Sequence, residues 1–224
     1  ALEKGLFGQN AALSHFINLV LYALLGWLTY RTLRRIFPPQ SSGSWLFSLA
    51  GLSALLYILH PIHSEAVANV KGRDEIMAAL GAIGALYASW RYAQEGSQRW
   101  NIIAAVVFFL GLLSKENTLT FLAVIPMALY YFGKTTNRRL VTNAGTLLLT
   151  SLLYLALRYA VIGQLLGEIE ADPNPMNDPF VNLSSGNKFA TIFLTLGWYL
   201  KLLVFPHPLT HDYYPYHVPV VGFD

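Results

Sequence analysis

Between positions 60 and 75, His60-Pro61-Ile62-His63-Ser64-Glu65 is followed by Lys71-Gly72-Arg73-Asp74-Glu75, which puts three acids, two bases and two imidazoles into sixteen positions. His60, His63 and Glu65 are residue types that ligate divalent ions. Pro61 interrupts the helical spacing that would align them, so hydrogen bonding to a polar substrate is the better expectation for these three. A second group, Ser114-Lys115-Glu116-Asn117, lies between two apolar runs. Together with Lys71 and Arg73, Lys115 would offer cationic donors to a phosphate or pyrophosphate, Arg as a planar fork and Lys as a point charge. The same residues also read as a solvated loop: Asp74 and Glu75 suit the positive end of a helix, and Lys115 with Glu116 can form an exposed pair worth about 0 to 1 kcal/mol.

Two further stretches carry polar groups. Arg158 precedes a long segment from Gly163 to Gly186 that contains Glu168, Glu170, Asp172 and Asp178 and is broken by Pro173, Pro175 and Pro179. A connection of that length is either a lid or substrate platform or a solvated link. Asn182-Leu183-Ser184 within it fits a glycosylation sequon, a three-residue match of low specificity. The tail from Pro206 to Tyr214 brings Asp212 among Tyr and His residues. Asp212 is a candidate cavity residue, and the aromatics are equally suited to anchoring at a membrane interface.

The elements that must hold these groups are apolar. The 224 residues are 54% hydrophobic and 12% charged, whereas a soluble domain carries about 25% charged residues. Runs at Ala11 to Tyr30, Trp45 to His60, Ile76 to Trp90, Ile102 to Leu113, Leu119 to Phe132, Leu140 to Leu157 and Phe189 to Phe205 are continuous and lack strict alternation. They predict an all-α, polytopic transmembrane bundle of six or seven segments within one membrane domain covering residues 1–224.

The loops set an orientation. Arg31, Arg34, Arg35, Arg91, Arg99, Lys134, Arg138 and Arg139 occupy three alternate loops with Glu95 as their only acid, which places those loops on the cytoplasmic side. The stretches 61–75, 114–118 and 158–188 then face outward. Three of the runs are short for a hydrocarbon core of roughly 30 Å, which predicts recessed outer tips around a crater. For the last run, with Gly197 and Lys201, a seventh crossing and an interfacial helix remain alternatives, and with them the side taken by the tail.

The net charge of +3 is explained by these basic loops, so nucleic acid is not expected as a partner. The chain has no cysteine, which excludes disulfides, thiolate nucleophiles and cysteine-ligated metal. The first apolar run is too long for a signal-peptide core, and the chain, which lacks an initiator Met, reads as a piece of a longer protein.

Several motifs together carry a resemblance: His60-Pro61-Ile62-His63-Ser64-Glu65-Ala66-Val67, Gly72-Arg73-Asp74, Ser114-Lys115-Glu116, Asp178-Pro179-Phe180, and Pro208-Leu209 with Asp212-Tyr213. In this order they resemble the transmembrane and tetratricopeptide repeat (TMTC) family and its bacterial relatives. The resemblance implies a GT-C type membrane glycosyltransferase, similar to protein O-mannosyltransferases. Such an enzyme moves a sugar from a polyprenyl-phosphate donor to a Ser or Thr hydroxyl of an acceptor protein on the extracytoplasmic side of a bacterial inner membrane or the endoplasmic reticulum.

The resemblance also implies that the catalytic base lies in an acidic outer loop upstream of this chain, after a first helix that the chain lacks. Tetratricopeptide repeats would follow downstream, and the 224 residues are expected to be inactive by themselves. Within that reading His60, His63, Glu65, Lys71, Arg73, Asp74, Lys115, Glu116 and Asp212 are the substrate-binding candidates. Arg73 and Lys115 would steady the donor phosphate, Asp74 would position Arg73, and His60, His63 and Glu65 would orient sugar or acceptor. No metal is assigned. Two alternatives stand beside the enzyme: a non-catalytic anchor or scaffold for a repeat domain, and a transporter of lipid-linked sugar. The scaffold has little reason to keep recessed charges, and the transporter needs polar groups through the whole depth.

Overall fold

Leu, Ala and Phe dominate the long runs, and polar caps start several of them. Asn10 accepts a hydrogen bond from the Leu13 amide at 3.1 Å and opens α1, Ala11–Ile36; Thr136 does the same for α7, Asn137–Ile162, and Ser184 for α8, Ser185–Val204. Between them lie α2, Leu49–Leu59, the short α3, Ser64–Ala68, α4, Arg73–Glu95, α5, Gln98–Ser114, and α6, Phe121–Phe132. Single 3-10 turns occupy Trp45–Phe47, Pro61–His63, Val70–Gly72 and Glu116–Thr120. The computed structural model describes residues 10–39, 44–163, 180, 183–210 and 218–223, and among these there is helix and no strand. The candidate Asp212, the acidic loop with Glu168, Glu170, Asp172 and Asp178, and Asn182 of the sequon lie outside the described residues.

Two units divide the chain. The first comprises residues 1–59 and 63–165, the second 60–62 and 166–224. In the first, α4 and α5 form an antiparallel hairpin closed by Gly96 and Ser97. Gly96 sits at φ 71°, a left-handed conformation that glycine adopts without a Cβ clash. Midway along the hairpin the two backbones touch: a Cβ on Gly81 would lie 2.4 Å from the Gly111 Cα. Small residues at such a crossing let helices approach closely, as in membrane bundles. Around it Ala85, Leu86, Trp90 and Ala93 of α4 meet Phe108 and Leu112 of α5, Ile125 and Leu129 of α6, and Leu147 and Tyr154 of α7. In the second unit, Val221 donates to the Thr191 hydroxyl at 3.2 Å and Phe193 packs near Phe223.

The outer surface reverses the usual order. Leu56 is 73% exposed and Leu149 69% exposed, while Asn18, Ser89 and Asn143 are fully buried. Polar groups inside and large aliphatics outside is the pattern of a bundle whose solvent is apolar. Among the described residues two helices, α1 and α7, are long and apolar enough to cross a membrane. Not all of the expected spans are short. The run expected at Ile76 to Trp90 is the middle of the 23-residue α4, and that expected at Ile102 to Leu113 is part of the 17-residue α5. Charged and polar residues at both tips of α4 continue the helix, because Asp74 and Glu75 satisfy its first turn and favour its positive end. At 1.5 Å per residue α4 is long enough for the hydrocarbon core, whereas α5, at about 25 Å, and the 11-residue α2 remain shorter than it.

Candidate functional site at one end of the first unit

The polar groups of the first unit gather where α4 begins and α5 ends. From α1, the fully buried Asn18 aims its amide across the helix boundary. Its Oδ1 accepts from Arg73 Nε at 2.9 Å, and its Nδ2 donates to the carbonyl oxygens of Asn69 at 3.0 Å and Val67 at 3.4 Å. Arg73 Nη2 also donates to the Ser14 carbonyl at 3.1 Å. One amide thus fixes both the guanidinium and the turn that leads to it. That turn is itself opened by Asn69, whose Oδ1 accepts from the Lys71 amide at 3.0 Å. Gly72 is wedged against it, since a Cβ there would lie 2.3 Å from the Ala66 carbonyl oxygen.

Next along α4, Asp74 and Glu75 face the end of α5. Lys115 is hydrogen-bonded and ion-paired to Glu75 and lies 3.8 Å from Asp74. The Glu75 hydrogen bond, joined by the charges of Glu75, Asp74 and Glu116, holds the Lys115 ammonium above its ordinary range. On the far side, Arg158 of α7 donates to Glu116 at 3.3 Å and to the Tyr154 hydroxyl at 3.1 Å. Glu116 is held below the usual carboxylate range, first by its own backbone amide and then by Arg158. The array Arg73, Asp74, Glu75, Lys115, Glu116 and Arg158 carries three positive and three negative groups. The charges sum to zero, with Lys115 paired to Glu75 and Arg158 to Glu116, so this end offers paired donors and acceptors.

His63 completes the same end. Its ring lies 4.7 Å from that of Tyr57 and 6.0 Å from that of Tyr22, and the Tyr22 hydroxyl donates to the Ile58 carbonyl at 2.8 Å. Tilted aromatic faces beside polar donors can take the apolar face of a sugar ring. Glu65 and Lys71 are exposed. His60 belongs to the second unit, where its Nε2 lies 3.2 Å from the Leu203 carbonyl oxygen. Among the described residues no three His, Cys, Asp or Glu side chains group as a metal site.

Of the sequence candidates, then, Arg73, Asp74, Lys115 and Glu116 sit in one connected end, with His63 in the aromatic group at that end. Asn18, Glu75, Tyr22, Tyr57 and Tyr154 were not among the candidates. Asn18 had left a signal, as a lone amide inside an apolar run, a position where polar side chains usually have a defined partner.

Residues 1–163 match the family model described as dolichyl-phosphate-mannose-protein mannosyltransferase. Human protein O-mannosyl-transferase TMTC1 is 32% identical over 110 residues, covering 49% of this chain and 12% of the relative. Human TMTC3 is 26% identical over 113 residues, covering 49% of this chain and 12% of the relative. The tmtc2 protein of Xenopus laevis is 24% identical over 225 residues, covering 92% of this chain and 26% of the relative. The chain therefore spans a small part of these proteins. No solved structure matches it.

Proposed function

Given that this chain belongs to the dolichyl-phosphate-mannose-protein mannosyltransferase family, we propose that it is part of the membrane domain of a GT-C type enzyme. That enzyme transfers a mannosyl group from a polyprenyl-phosphate donor to Ser or Thr hydroxyls of an acceptor protein on the extracytoplasmic side. α1, α4, α5 and α7 are read as spans with the Arg73 end outward, in keeping with the basic loops at the opposite end.

The observation that carries the proposal is the buried Asn18 amide holding Arg73 at the mouth of the bundle. In the transfer, the bond from the sugar anomeric carbon to the donor phosphate oxygen breaks, and negative charge grows on the departing phosphate. A new bond forms from the acceptor oxygen to that carbon, and the hydroxyl proton passes to a carboxylate that family resemblance puts in another loop. A guanidinium already fixed in place stabilises the growing charge without reorganising. Lys115, tethered by Glu75 and Asp74, adds a second fixed positive group. His63 with Tyr57 orients the sugar or the acceptor, and Asp74 acts on Lys115 as well as at the α4 tip. Glu65, Lys71, His60 and Asp212 are carried as peripheral substrate contacts.

The test is mannosyl transfer by the full-length protein from polyprenyl-phosphate mannose to an acceptor peptide. Arg73→Ala and Lys115→Ala are expected to lose transfer while expressing at wild-type level. Full activity of both variants would remove these residues from the site.

A further inference from the structure

The opposite end of the first unit is built differently, and the transfer reaction does not use it. Trp27, Arg31 and Arg35 follow one another at helical spacing on α1, while Tyr87, Arg91 and Glu95 do so on the neighbouring α4. The Arg31 guanidinium stands 5.3 Å over the Trp27 ring and that of Arg35 5.2 Å over Tyr87. Arg91 lies 4.2 Å over Trp100 and Arg99 5.8 Å over the same indole. Tyr87 and Trp100 stand edge to face with ring centroids 6.3 Å apart, so Arg35 over Tyr87 and Arg91 over Trp100 gather on one pair of rings, one helical turn beyond Arg31 on α1. Among the described residues these four guanidiniums have one carboxylate beside them, Glu95, which pairs with Arg91 and accepts from Trp100 Nε1 at 2.8 Å. Stacking holds an arginine by its face and leaves in-plane N–H groups for an anion; on Arg91 the Nε is already given to Glu95, so its terminal nitrogens are the ones that face a ligand.

Beside these cations runs an apolar ridge. Val20, Leu24 and Trp27 are each about half-exposed, and with Arg31 and Arg35 they form one line along α1 at steps of three or four residues. A ligand with an anionic head and an apolar body matches both halves at once, which a free anion does not.

We propose that Arg31, Arg35 and Arg91, stacked on Trp27, Tyr87 and Trp100, bind the phosphate headgroup of an anionic phospholipid whose acyl chain lies along Val20 and Leu24. The inference rests on the reading of α1 as a membrane span.

The test uses the full-length protein reconstituted in vesicles, then native mass spectrometry of retained lipid, with phosphatidylglycerol and phosphatidylcholine as probes. Wild type is expected to retain phosphatidylglycerol roughly tenfold over phosphatidylcholine. The triple variant Arg31→Gln, Arg35→Gln, Arg91→Gln is expected to lose that preference. The charge-matched triple Arg34→Gln, Lys134→Gln, Arg138→Gln is expected to keep it within about twofold. An equal loss in both triples would overturn the site in favour of diffuse charge. Inorganic phosphate competing as well as phosphatidylglycerol would overturn the lipid as ligand. Resistance to carbonate extraction tests insertion separately. An inserted wild type with no lipid preference ends this inference alone, whereas an extractable one ends the spanning reading and the inference with it.

Discussion

The two ends of the first unit hold their cations by opposite means. Where α4 begins, cations meet carboxylates and a buried amide: Arg73 on Asn18, Lys115 between Glu75 and Asp74, Arg158 on Glu116. Where α4 ends, arginines lie on aromatic faces, with one carboxylate among them. Carboxylates and amides fix a cation in direction, which suits a site that must meet a transition state in one geometry. Ring faces fix it loosely and leave the charge in place, which suits a boundary with anionic lipid. The difference shows that the count of basic residues says less about function than the partner each one is given.

Substitution at the ordered end should have the largest consequence. Arg73→Ala is expected to lower the turnover of full-length protein by about 10² to 10³, the range for removing one fixed transition-state donor, whereas Arg34→Gln at the other end should leave turnover near wild type. Steady-state mannosyl transfer measures both, and equal losses would erase the contrast between the ends.

The next effect lies midway between them. Gly81→Val would force a branched side chain into the Gly111 backbone, and overpacking of that kind costs about 1–3 kcal/mol. Thermal unfolding in detergent should show a lower midpoint. A Gly81→Val protein as stable as wild type would mean that the hairpin crossing is not held at backbone contact.

Asn18 comes third, because its effect divides between stability and activity. Asn18→Leu leaves the Arg73 Nε donor and two loop carbonyls without their partner, a loss of about 1–3 kcal/mol. It should reduce transfer more than Asn18→Gln, which can rebuild part of the contact. If both variants transfer alike, Arg73 is positioned by something other than this amide.

The smallest effects concern the ion pairs. The Lys115 and Glu75 side chains are 31% and 45% exposed, so a double-mutant cycle of Lys115→Met with Glu75→Gln should return a coupling of no more than about 1 kcal/mol. The sign of its pH dependence follows from Lys115 being held above its ordinary range. The contribution is full below the unfolded-state value of about 10.4 and fades as pH climbs through the folded one. Glu116, held low, behaves in reverse: its contribution is present above about pH 4.3 and disappears as pH falls through its folded value. Melting curves at alkaline and acidic pH, compared with Lys115→Met and Glu116→Gln, read both limits.

Much of this was legible in the sequence because apolar runs and charged breaks mark helices directly. The helical class, the positions of α1 and α7, and the gathering of Arg73, Asp74, Lys115 and Glu116 at one end follow from run lengths and loop alternation. Helix limits were less legible. Arg73, Asp74 and Glu75 look like the end of a loop, yet they form the first turn of α4, since acids are favoured there. Partner choice was least legible. Which side of α4 each residue faces depends on how α1 and α5 pack against it, so the pairing of Arg73 with Asn18 and of Lys115 with Glu75 emerges only from tertiary contacts. The stacked arginines were visible as charge and invisible as geometry for the same reason.

The tight turn at Gly96 makes the α4–α5 hairpin a ruler. Glu75 and Lys115 stand at nearly equal distances from that turn, about 30 Å at 1.5 Å per residue along each arm. Their meeting is therefore a matter of matched arm lengths. One residue inserted into either arm would swing every tip beyond it by about 100° and carry Lys115 off its carboxylates, so lengths here should tolerate substitution far better than insertion or deletion.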